Sequence, residues 1–328
     1  TVELSKADLT DKKELPGASL KVTDEDGNTV DEWVSKEEAH IIKGLIVGKK
    51  YKMTETKPAD GYVTAESIEF TVENTKEVQK HQMLDDVTKV EISKKDITDS
   101  SEVPGAKLII LDKDGKKVES WTSTDKPHMV EKLPVGEYTL REEQAPDGYL
   151  IAEDVKFTVK DTGKVQKVKM KDAHPYGKLV IKKTDSTSKA ALPGAEFELR
   201  EKESGKVVEK LVTDKTGTAT SGKLPIATYK NGKVEKTVEY ILVETKAPNG
   251  YELSSKKEEI RFEYKDGKTK VIEIVKEIKN TKSPSGSTPT GNSPKTGDST
   301  NIWLPILLAV LSACGIGGVI WYKKKKGN

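Results

Sequence analysis

The amino-acid sequence predicts an all-β chain of three small antiparallel β-sandwiches in a row, followed by a linker and one C-terminal transmembrane helix. Three observations lead to this fold class. Short segments alternate between apolar and polar residues, the same landmarks recur three times, and one uncharged apolar run stands near the C-terminus. The predicted sandwiches occupy residues 1–88, 89–175 and 176–282.

The predicted strands are the short alternating segments, such as SIEFTVEN, DVKFTVKD and EIRFEYKD, one in each unit. A period of two places successive side chains on opposite faces of a strand, which suits a sheet that turns one face to a core. The segments DEDGN, DKDGK and YKDGK separate strands and are predicted to be hairpin turns. The sequence shows no helical period outside the C-terminal apolar run.

An internal repeat sets the order of the units. LPGA, VPGA and LPGA mark the same place in each copy, and PADGY, APDGY and APNGY mark a second place. Landmarks that recur at a nearly fixed spacing indicate tandem copies of one structural unit. The third copy contains an additional stretch, ATYKNGKVEKT, which we predict to be a loop insertion between strands.

The composition bounds the class of protein. Of the 328 residues, 34% are charged and 34% are hydrophobic, so each core is thin and several small domains fit better than one large one. The net charge of +2 does not indicate nucleic-acid binding. The sole cysteine, Cys314, lies in the C-terminal apolar run, so disulfides cannot link the β units.

Because the chain opens on a strand pattern without Met or a signal peptide, we expect a C-terminal fragment or a processed form of a longer protein.

Polar residues occupy apolar positions in every unit. In the first strand a lysine takes the third place on the apolar face, as Lys94 does after Val90 and Ile92. A middle strand turns Glu142 to its apolar face and Glu143 to the other face. The last strand carries Asp or Asn two residues after Met or Ile. The recurring residues are Lys6, Lys94 and Lys183, then Glu55, Glu142 and Glu244, then Asp85, Asp172 and Asn280.

These residues suggest a covalent bond between side chains. Burying an ion pair often fails to recover the cost of desolvation, so a purely structural role would be expensive. A dry site lowers the pKa of lysine and raises that of a carboxyl group, and a neutral amine can attack a carbonyl carbon. The product would be a Lys–Asp or Lys–Asn isopeptide bond, with the glutamate moving the proton to the leaving group. A register shift by one residue would bring in Lys95, Lys182 or Asp86 instead.

The segments ISKKD, the glutamate before APDGY and MKDA resemble the Cna B-type, SpaA-like domains of Gram-positive adhesins and pilins, over nearly all of residues 1–282. The resemblance implies an Ig-like, prealbumin-like sandwich. It also implies that a first-strand lysine bonds to a last-strand Asp or Asn, with the middle glutamate as catalyst, and that no cofactor or metal is needed. The implied triads are Lys6/Glu55/Asp85, Lys94/Glu142/Asp172 and Lys183/Glu244/Asn280.

The C-terminal region predicts a membrane anchor. Residues 302–322 are 21 uncharged residues, long enough to cross a hydrocarbon core of about 30 Å. Residues 323–328 begin with four lysines, which would hold the C-terminus on the cytoplasmic side. Residues 283–301 are rich in Pro, Ser, Thr and Gly and are predicted to be an extended, flexible linker.

The linker contains SPKTG at 293–297. This motif, followed by an apolar span and a short basic tail, resembles the cell-wall sorting signal of Gram-positive surface proteins. The resemblance implies that a sortase reads Pro294, cuts between Thr296 and Gly297, and joins Thr296 to the peptidoglycan precursor or to a pilin. The usual leucine of the signal is Ser293 here.

The sequence therefore predicts a structural stalk of a sortase-anchored adhesin or pilin-like protein on the cell wall. The alternative is that the β domains themselves bind a host extracellular-matrix ligand. We find no YPK-type lysine for polymerisation, which favours an anchor, a tip or a non-polymerised protein. No enzyme acting on an external substrate is expected, because the sequence contains no metal-ligand spacing, P-loop or nucleophile elbow.

Overall fold

The computed structural model describes residues 1–284, of which Thr1–Ser283 form one compact unit. This part of the chain contains 24 β-strands and no helix, as the all-β prediction required. Accordingly, no helix among residues 1–284 is long and apolar enough to span a membrane. The predicted sorting motif, transmembrane helix and basic tail lie outside the described residues.

Domain 1 consists of seven strands in two sheets. The first sheet has the order β4-β1-β7 and the second has the order β3-β2-β5-β6. Apolar residues alternate along the strands and meet between the sheets, where Leu4, Leu20, Met53 and Met83 are fully buried. The strands are β1 Val2–Asp8, β2 Ser19–Thr23, β3 Thr29–Val34, β4 His40–Ile42, β5 Lys50–Lys57, β6 Ile68–Thr71 and β7 Gln79–Asp85.

Domain 2 repeats this arrangement with sheets β11-β8-β14 and β10-β9-β12-β13. Its core has the same origin, since each sheet turns one face of alternating apolar residues inward. The strands are β8 Lys89–Asp96, β9 Lys107–Asp112, β10 Lys117–Thr122, β11 His128–Glu131, β12 Gly136–Gln144, β13 Val155–Val159 and β14 Gln166–Asp172.

Domain 3 has ten strands. In its first sheet β15 pairs with β18, β19 and β24, the second sheet has the order β17-β16-β22-β23, and β20 and β21 form a separate hairpin. Its core cluster lies between the two large sheets. The strands are β15 Tyr176–Asp185, β16 Glu196–Glu201, β17 Val207–Val212, β18 Thr218–Thr220, β19 Leu224–Pro225, β20 Ala227–Lys230, β21 Lys233–Thr237, β22 Glu239–Lys246, β23 Glu258–Arg261 and β24 Val271–Asn280. The boundaries predicted at residues 88, 175 and 282 stay predictions.

The prediction of wholly antiparallel sandwiches is wrong at one pair of strands in each domain. The first and last strands, β1 with β7, β8 with β14 and β15 with β24, run parallel. Parallel neighbours need a long crossover connection, and here the rest of the domain supplies it. As a result the chain enters each sandwich at one end and leaves at the other.

Two of the three predicted hairpin turns are correct. DEDGN joins β2 to β3 and DKDGK joins β9 to β10, each within one antiparallel pair. YKDGK is not a hairpin turn, because β23 pairs with β22 and β24 pairs with β15 in the other sheet. The inserted ATYKNGKVEKT forms the β20–β21 hairpin rather than an irregular loop.

Candidate cross-linking sites between the first and last strands

The three lysines lie inside the sandwiches. The relative exposure is 2% for Lys6, 2% for Lys94 and 0% for Lys183. The parallel register pairs Lys6 with Met83 and Asp8 with Asp85, so Lys6 and Asp85 share the inner face of the sheet and meet on the diagonal. The same offset recurs in the other domains. The Nζ atoms contact Asp85 Oδ1, Asp172 Oδ1 and Asn280 Oδ1, respectively.

Each glutamate contacts the buried lysine of its own domain from the opposite sheet. The Nζ atom lies 2.9 Å from Glu55 Oε1 in domain 1, 3.0 Å from Glu142 Oε2 in domain 2 and 3.1 Å from Glu244 Oε1 in domain 3. A backbone N–H ten residues further on donates to each glutamate and fixes its orientation. The donors are Ala65 at 2.6 Å, Ala152 at 2.7 Å and Ser254 at 3.0 Å. The structure thus brings together all three members of every predicted triad.

The last-strand partner differs between the domains. In domain 3, Asn280 Nδ2 donates to Glu244 Oε1 at 2.9 Å and to Oε2 at 3.2 Å. In domains 1 and 2 the corresponding atoms are the carboxyl oxygens Asp85 Oδ2 and Asp172 Oδ2, which are buried without a hydrogen-bond donor. Two carboxyl groups at one dry site cannot both ionise at low cost, so this arrangement favours one shared proton.

The electrostatics of the sites favour the reactive protonation states. Burial, together with the neighbouring Glu55, raises the pKa of Asp85 to about 7, against the opposing effect of Lys6. Burial lowers the pKa of Lys94 to about 8, although Glu142 acts in the other direction. Burial likewise lowers the pKa of Lys183. Desolvation therefore increases the fractions of neutral amine and protonated acid.

The residues that a register shift would have promoted lie outside the sites. Lys95 forms an ion pair with Glu102 at 2.8 Å, and Lys182 is exposed. Asp86 accepts from its neighbour Lys89 at 2.8 Å. Glu143 is also exposed, as the alternation predicted, with Lys117 3.3 Å away.

The sequence analysis missed a second buried carboxylate in each domain. Asp8, Asp96 and Asp185 lie two residues after the lysines, directly opposite the last-strand Asp or Asn. Each accepts a hydrogen bond from a tyrosine hydroxyl of the repeated PADGY-type segment. The pairs are Tyr62–Asp8 at 2.8 Å, Tyr149–Asp96 at 2.8 Å and Tyr251–Asp185 at 2.9 Å. The shared spacing Lys-x-Asp, in SKAD, SKKD and KKTD, was the signal that could have found them.

These second carboxylates are held in the ionised state. Burial alone would raise the pKa of Asp8, but hydrogen bonds from Tyr62 and from the N–H groups of Thr10 and Asp11 outweigh burial and lower the pKa to about 2. Hydrogen bonds likewise lower the pKa of Asp96 and Asp185 to about 2. An ionised carboxylate is a poor target for an amine. The arrangement thus distinguishes Asp85, with its raised pKa, from Asp8.

The structure shows no metal centre in the region that it describes. Within residues 1–284, no group of three or more His, Cys, Asp or Glu side chains is arranged to hold a metal ion.

The sequence matches a known family in three places. The profile described as "SpaA: Prealbumin-like fold domain" covers residues 1–86, 88–174 and 177–278. The chain belongs to this family. The three SpaA-type domains correspond to domains 1, 2 and 3, and none of the curated proteins compared with the chain matches it significantly.

Solved structures resemble the chain as well. The Bacillus anthracis TIE protein is 28% identical, with a TM-score of 0.56 over 86% of this chain and 51% of that one. The chain thus spans about half the length of that protein. The Bacillus cereus major pilin subunit BcpA is 19% identical, with a TM-score of 0.47 over 86% of this chain and 99% of that one.

Proposed function

We propose that each SpaA-type domain forms one intramolecular isopeptide bond between its first and last strands. The observation that carries this proposal is the threefold recurrence of a buried lysine in contact with a buried glutamate and a buried Asp or Asn. A cluster of this kind is expensive to bury unless it has a use. The proposed reaction is a single turnover within each domain, needs no cofactor and acts on no external substrate.

In domain 1 the neutral Lys6 amine attacks Cγ of the protonated Asp85. Glu55, held by the Ala65 N–H, accepts a proton from Nζ and delivers it to the departing hydroxyl. A C–N bond forms, a C–O bond breaks, and one water molecule leaves. Domain 2 follows the same course with Lys94, Glu142 and Asp172.

In domain 3 the leaving group is ammonia. Lys183 attacks Cγ of Asn280, whose Nδ2 already donates to Glu244. Glu244 transfers the proton from Nζ to that nitrogen, the C–N bond to the amide nitrogen breaks, and ammonia departs. Because the sandwich holds the three groups in contact before reaction, proximity supplies much of the acceleration.

The bonds would make the chain a mechanically resistant stalk. They close loops whose ends lie 79, 78 and 97 residues apart. By analogy with disulfides, each would contribute about 4–5 kcal/mol by restricting the unfolded chain. Since the first and last strands run parallel, tension between the chain ends shears those two strands, and a bond between them carries the load.

We propose further that this stalk belongs to the surface of a Gram-positive cell. The sequence resemblance of residues 293–328 to a sorting signal supports attachment by a sortase, with Thr296 joined to peptidoglycan or to a pilin, after a stage in the membrane. Replacing Thr296 with Ala should leave the protein in the membrane fraction, held by residues 302–322 and extractable with detergent, whereas continued covalent wall attachment would refute sorting at this motif.

The first experiment is the intact mass of residues 1–284, which contain all 24 strands and the compact unit. We expect a mass lower than the sequence mass by two waters and one ammonia. Peptide mapping should then place the bonds at the three triads. The unmodified mass would refute self-cross-linking while leaving surface attachment open to the Thr296 test.

A further inference from the structure

The β20–β21 hairpin has no counterpart in the first two domains, and it contacts domain 2. The Tyr229 hydroxyl donates to the Gly148 carbonyl at 2.8 Å. The Tyr229 ring stacks on His174 with 3.5 Å between ring centroids and 3° between planes. The edge of Tyr149 approaches the same ring at 5.2 Å. Tyr229 therefore occupies a site built from domain 2 residues.

Two glycines at this junction lie close to the neighbouring domain, Gly148 against a side chain and Gly232 against the backbone. A Cβ atom on Gly148 would lie 2.3 Å from Val234 Cγ2, and one on Gly232 would lie 1.8 Å from the Glu102 carbonyl oxygen. Gly232 is the second residue of the hairpin turn and has a φ of 70°. The hairpin thus contacts domain 2 through Tyr229, Gly232 and Val234.

Further contacts extend this junction. The N–H of Ile151 donates to the Gly267 carbonyl at 2.8 Å, and the Tyr264 hydroxyl donates to the Tyr149 carbonyl at 3.0 Å. A buried apolar cluster crosses the boundary. Its members are Val103, Ala145, Tyr149, Ile151 and Tyr229.

The junction between domains 1 and 2 has no inserted hairpin, although its backbones are also close. A Cβ atom on Gly61 would lie 2.3 Å from the Lys132 carbonyl oxygen, and the buried Thr88 hydroxyl donates to the Leu133 carbonyl at 2.6 Å. Lys132 Nζ lies 2.6 Å from the Tyr62 hydroxyl and 3.4 Å from Asp8 Oδ2, with 53% of the Lys132 side chain exposed. Thr64 donates to the exposed Asp161 at 2.7 and 2.8 Å. The apolar cluster at this end of domain 1 consists only of residues between 15 and 87, so it does not cross into domain 2. The absence of an apolar cluster that spans both domains is what distinguishes this junction, among the described residues, from the one between domains 2 and 3.

We infer that the β20–β21 hairpin is a docking element whose partner is the C-terminal end of domain 2, and that it joins domains 2 and 3 into one stiff block. The junction between domains 1 and 2 has no such element and is the more mobile of the two. Tyr229 is the anchor of the docked state, because an aromatic side chain that is partly buried between two domains supplies a large share of the apolar contact there. This division of the stalk goes beyond the isopeptide bonds and does not require that they form.

The experiment measures the spread of distances across each junction with pairs of spin labels. Residues 1–284 contain no cysteine, so two introduced cysteines define each pair. The exposed pair Lys117→Cys and Lys257→Cys reports on domains 2 and 3, and Lys52→Cys and Lys117→Cys reports on domains 1 and 2. We expect the junction between domains 2 and 3 to give a narrower distance distribution than the junction between domains 1 and 2.

The variants Tyr229→Ala and Gly232→Val should each widen the distribution between domains 2 and 3 at least twofold. Glu235→Ala is the matched control, because Glu235 contacts only Thr228 and Lys230 of the hairpin itself, and it should leave the distribution unchanged. Gly232→Val acts at the turn, so it tests docking without removing a ring that packs on the core of domain 3. Two outcomes would overturn the inference: equal widths at the two junctions, or a distribution between domains 2 and 3 that neither variant widens.

Discussion

Domains 1 and 3 hold the same lysine and glutamate but differ in the group on the last strand. In domain 3 the Asn280 amide satisfies both oxygens of Glu244. In domain 1 the corresponding Asp85 Oδ2 has no donor, and its carboxyl group faces Glu55. One Lys⁺, one Glu⁻ and one amide are neutral together, whereas one Lys⁺ and two carboxylates must take up a proton to become neutral. The difference teaches that the acid site must take up a proton before its carboxyl group can be attacked, whereas the amide site has no such requirement.

The prediction with the largest expected effect tests whether the two kinds of site give equally stabilising bonds. Lys6→Met and Lys183→Met should each lower the free energy of unfolding of their own domain by about 4–5 kcal/mol, because each opens a loop of 79 or 97 residues. The two losses should differ by only about 0.2 kcal/mol, since the loop term is logarithmic. Chemical denaturation of residues 1–284 followed by domain-specific probes gives both values.

The neighbouring Lys182 provides the control for this pair. It is exposed, so Lys182→Met should change the free energy of unfolding by no more than about 0.5 kcal/mol. If both substitutions lowered the free energy of unfolding equally, the loss would come from changing the strand and not from removing the bond.

The second prediction tests whether Glu55 and Glu244 have the same role. Unequal effects of their substitution would show that the sites of domains 1 and 3 work differently. Glu55→Gln and Glu244→Gln should each slow bond formation by about 10²–10⁴-fold, because Gln cannot carry the proton to the leaving group. Mass spectrometry during refolding should show one retained water for the first variant and one retained ammonia for the second. Glu143→Gln, on an exposed face, should react like the unaltered chain.

The third prediction sharpens the comparison through pH. Asp85 has a pKa raised to about 7, so its reactive, protonated form predominates below pH 7 and declines above it. Both domains need a neutral lysine, and only domain 1 also needs a protonated carboxyl group, so the rate in domain 1 relative to domain 3 should fall by about tenfold per pH unit above pH 7. In domain 3 no carboxyl group is attacked, and the rate should not fall over the same range.

The variant Asp85→Asn should convert domain 1 to the behaviour of domain 3. Its reaction releases ammonia instead of water and yields a cross-link identical to that of the unaltered chain, so the two final masses coincide. The decline above pH 7 should disappear. If the variant keeps the decline, the titrating group is not Asp85.

The smallest expected effect concerns the second carboxylate, which all three domains share. Tyr149→Phe removes a hydrogen bond to the buried, ionised Asp96 and should cost about 1.5–3 kcal/mol at pH 7. The pKa of Asp96 is lowered from 3.8 to about 2, so its contribution is present above pH 4 and is lost as the pH falls toward 2. The stabilities of the variant and the unaltered chain should converge there, and an equal gap at pH 2 and pH 7 would contradict this account.

The fold class and the members of each triad could be predicted from the sequence for one physical reason. The alternation of a strand assigns each side chain to a face, and three copies in register separate a recurring Lys94 from its half-buried neighbour Lys95. The paired roles of Asp8 and Tyr62 escaped prediction, although both stood in repeated segments. Their hydrogen bond links residues 54 positions apart, and no local pattern reports such a contact.

The sequence by itself therefore determined the all-β class, the repeat and which side chains face inward, because these depend on local periodicity. Only the tertiary structure decided that the first and last strands run parallel, which sets Lys6 diagonal to Asp85 and opposite Met83. It also decided that the insertion in domain 3 is a hairpin seated on His174 of domain 2. Strand direction and docking depend on the crossing of distant chain segments, and the free energy of those contacts exists only once the segments have come together.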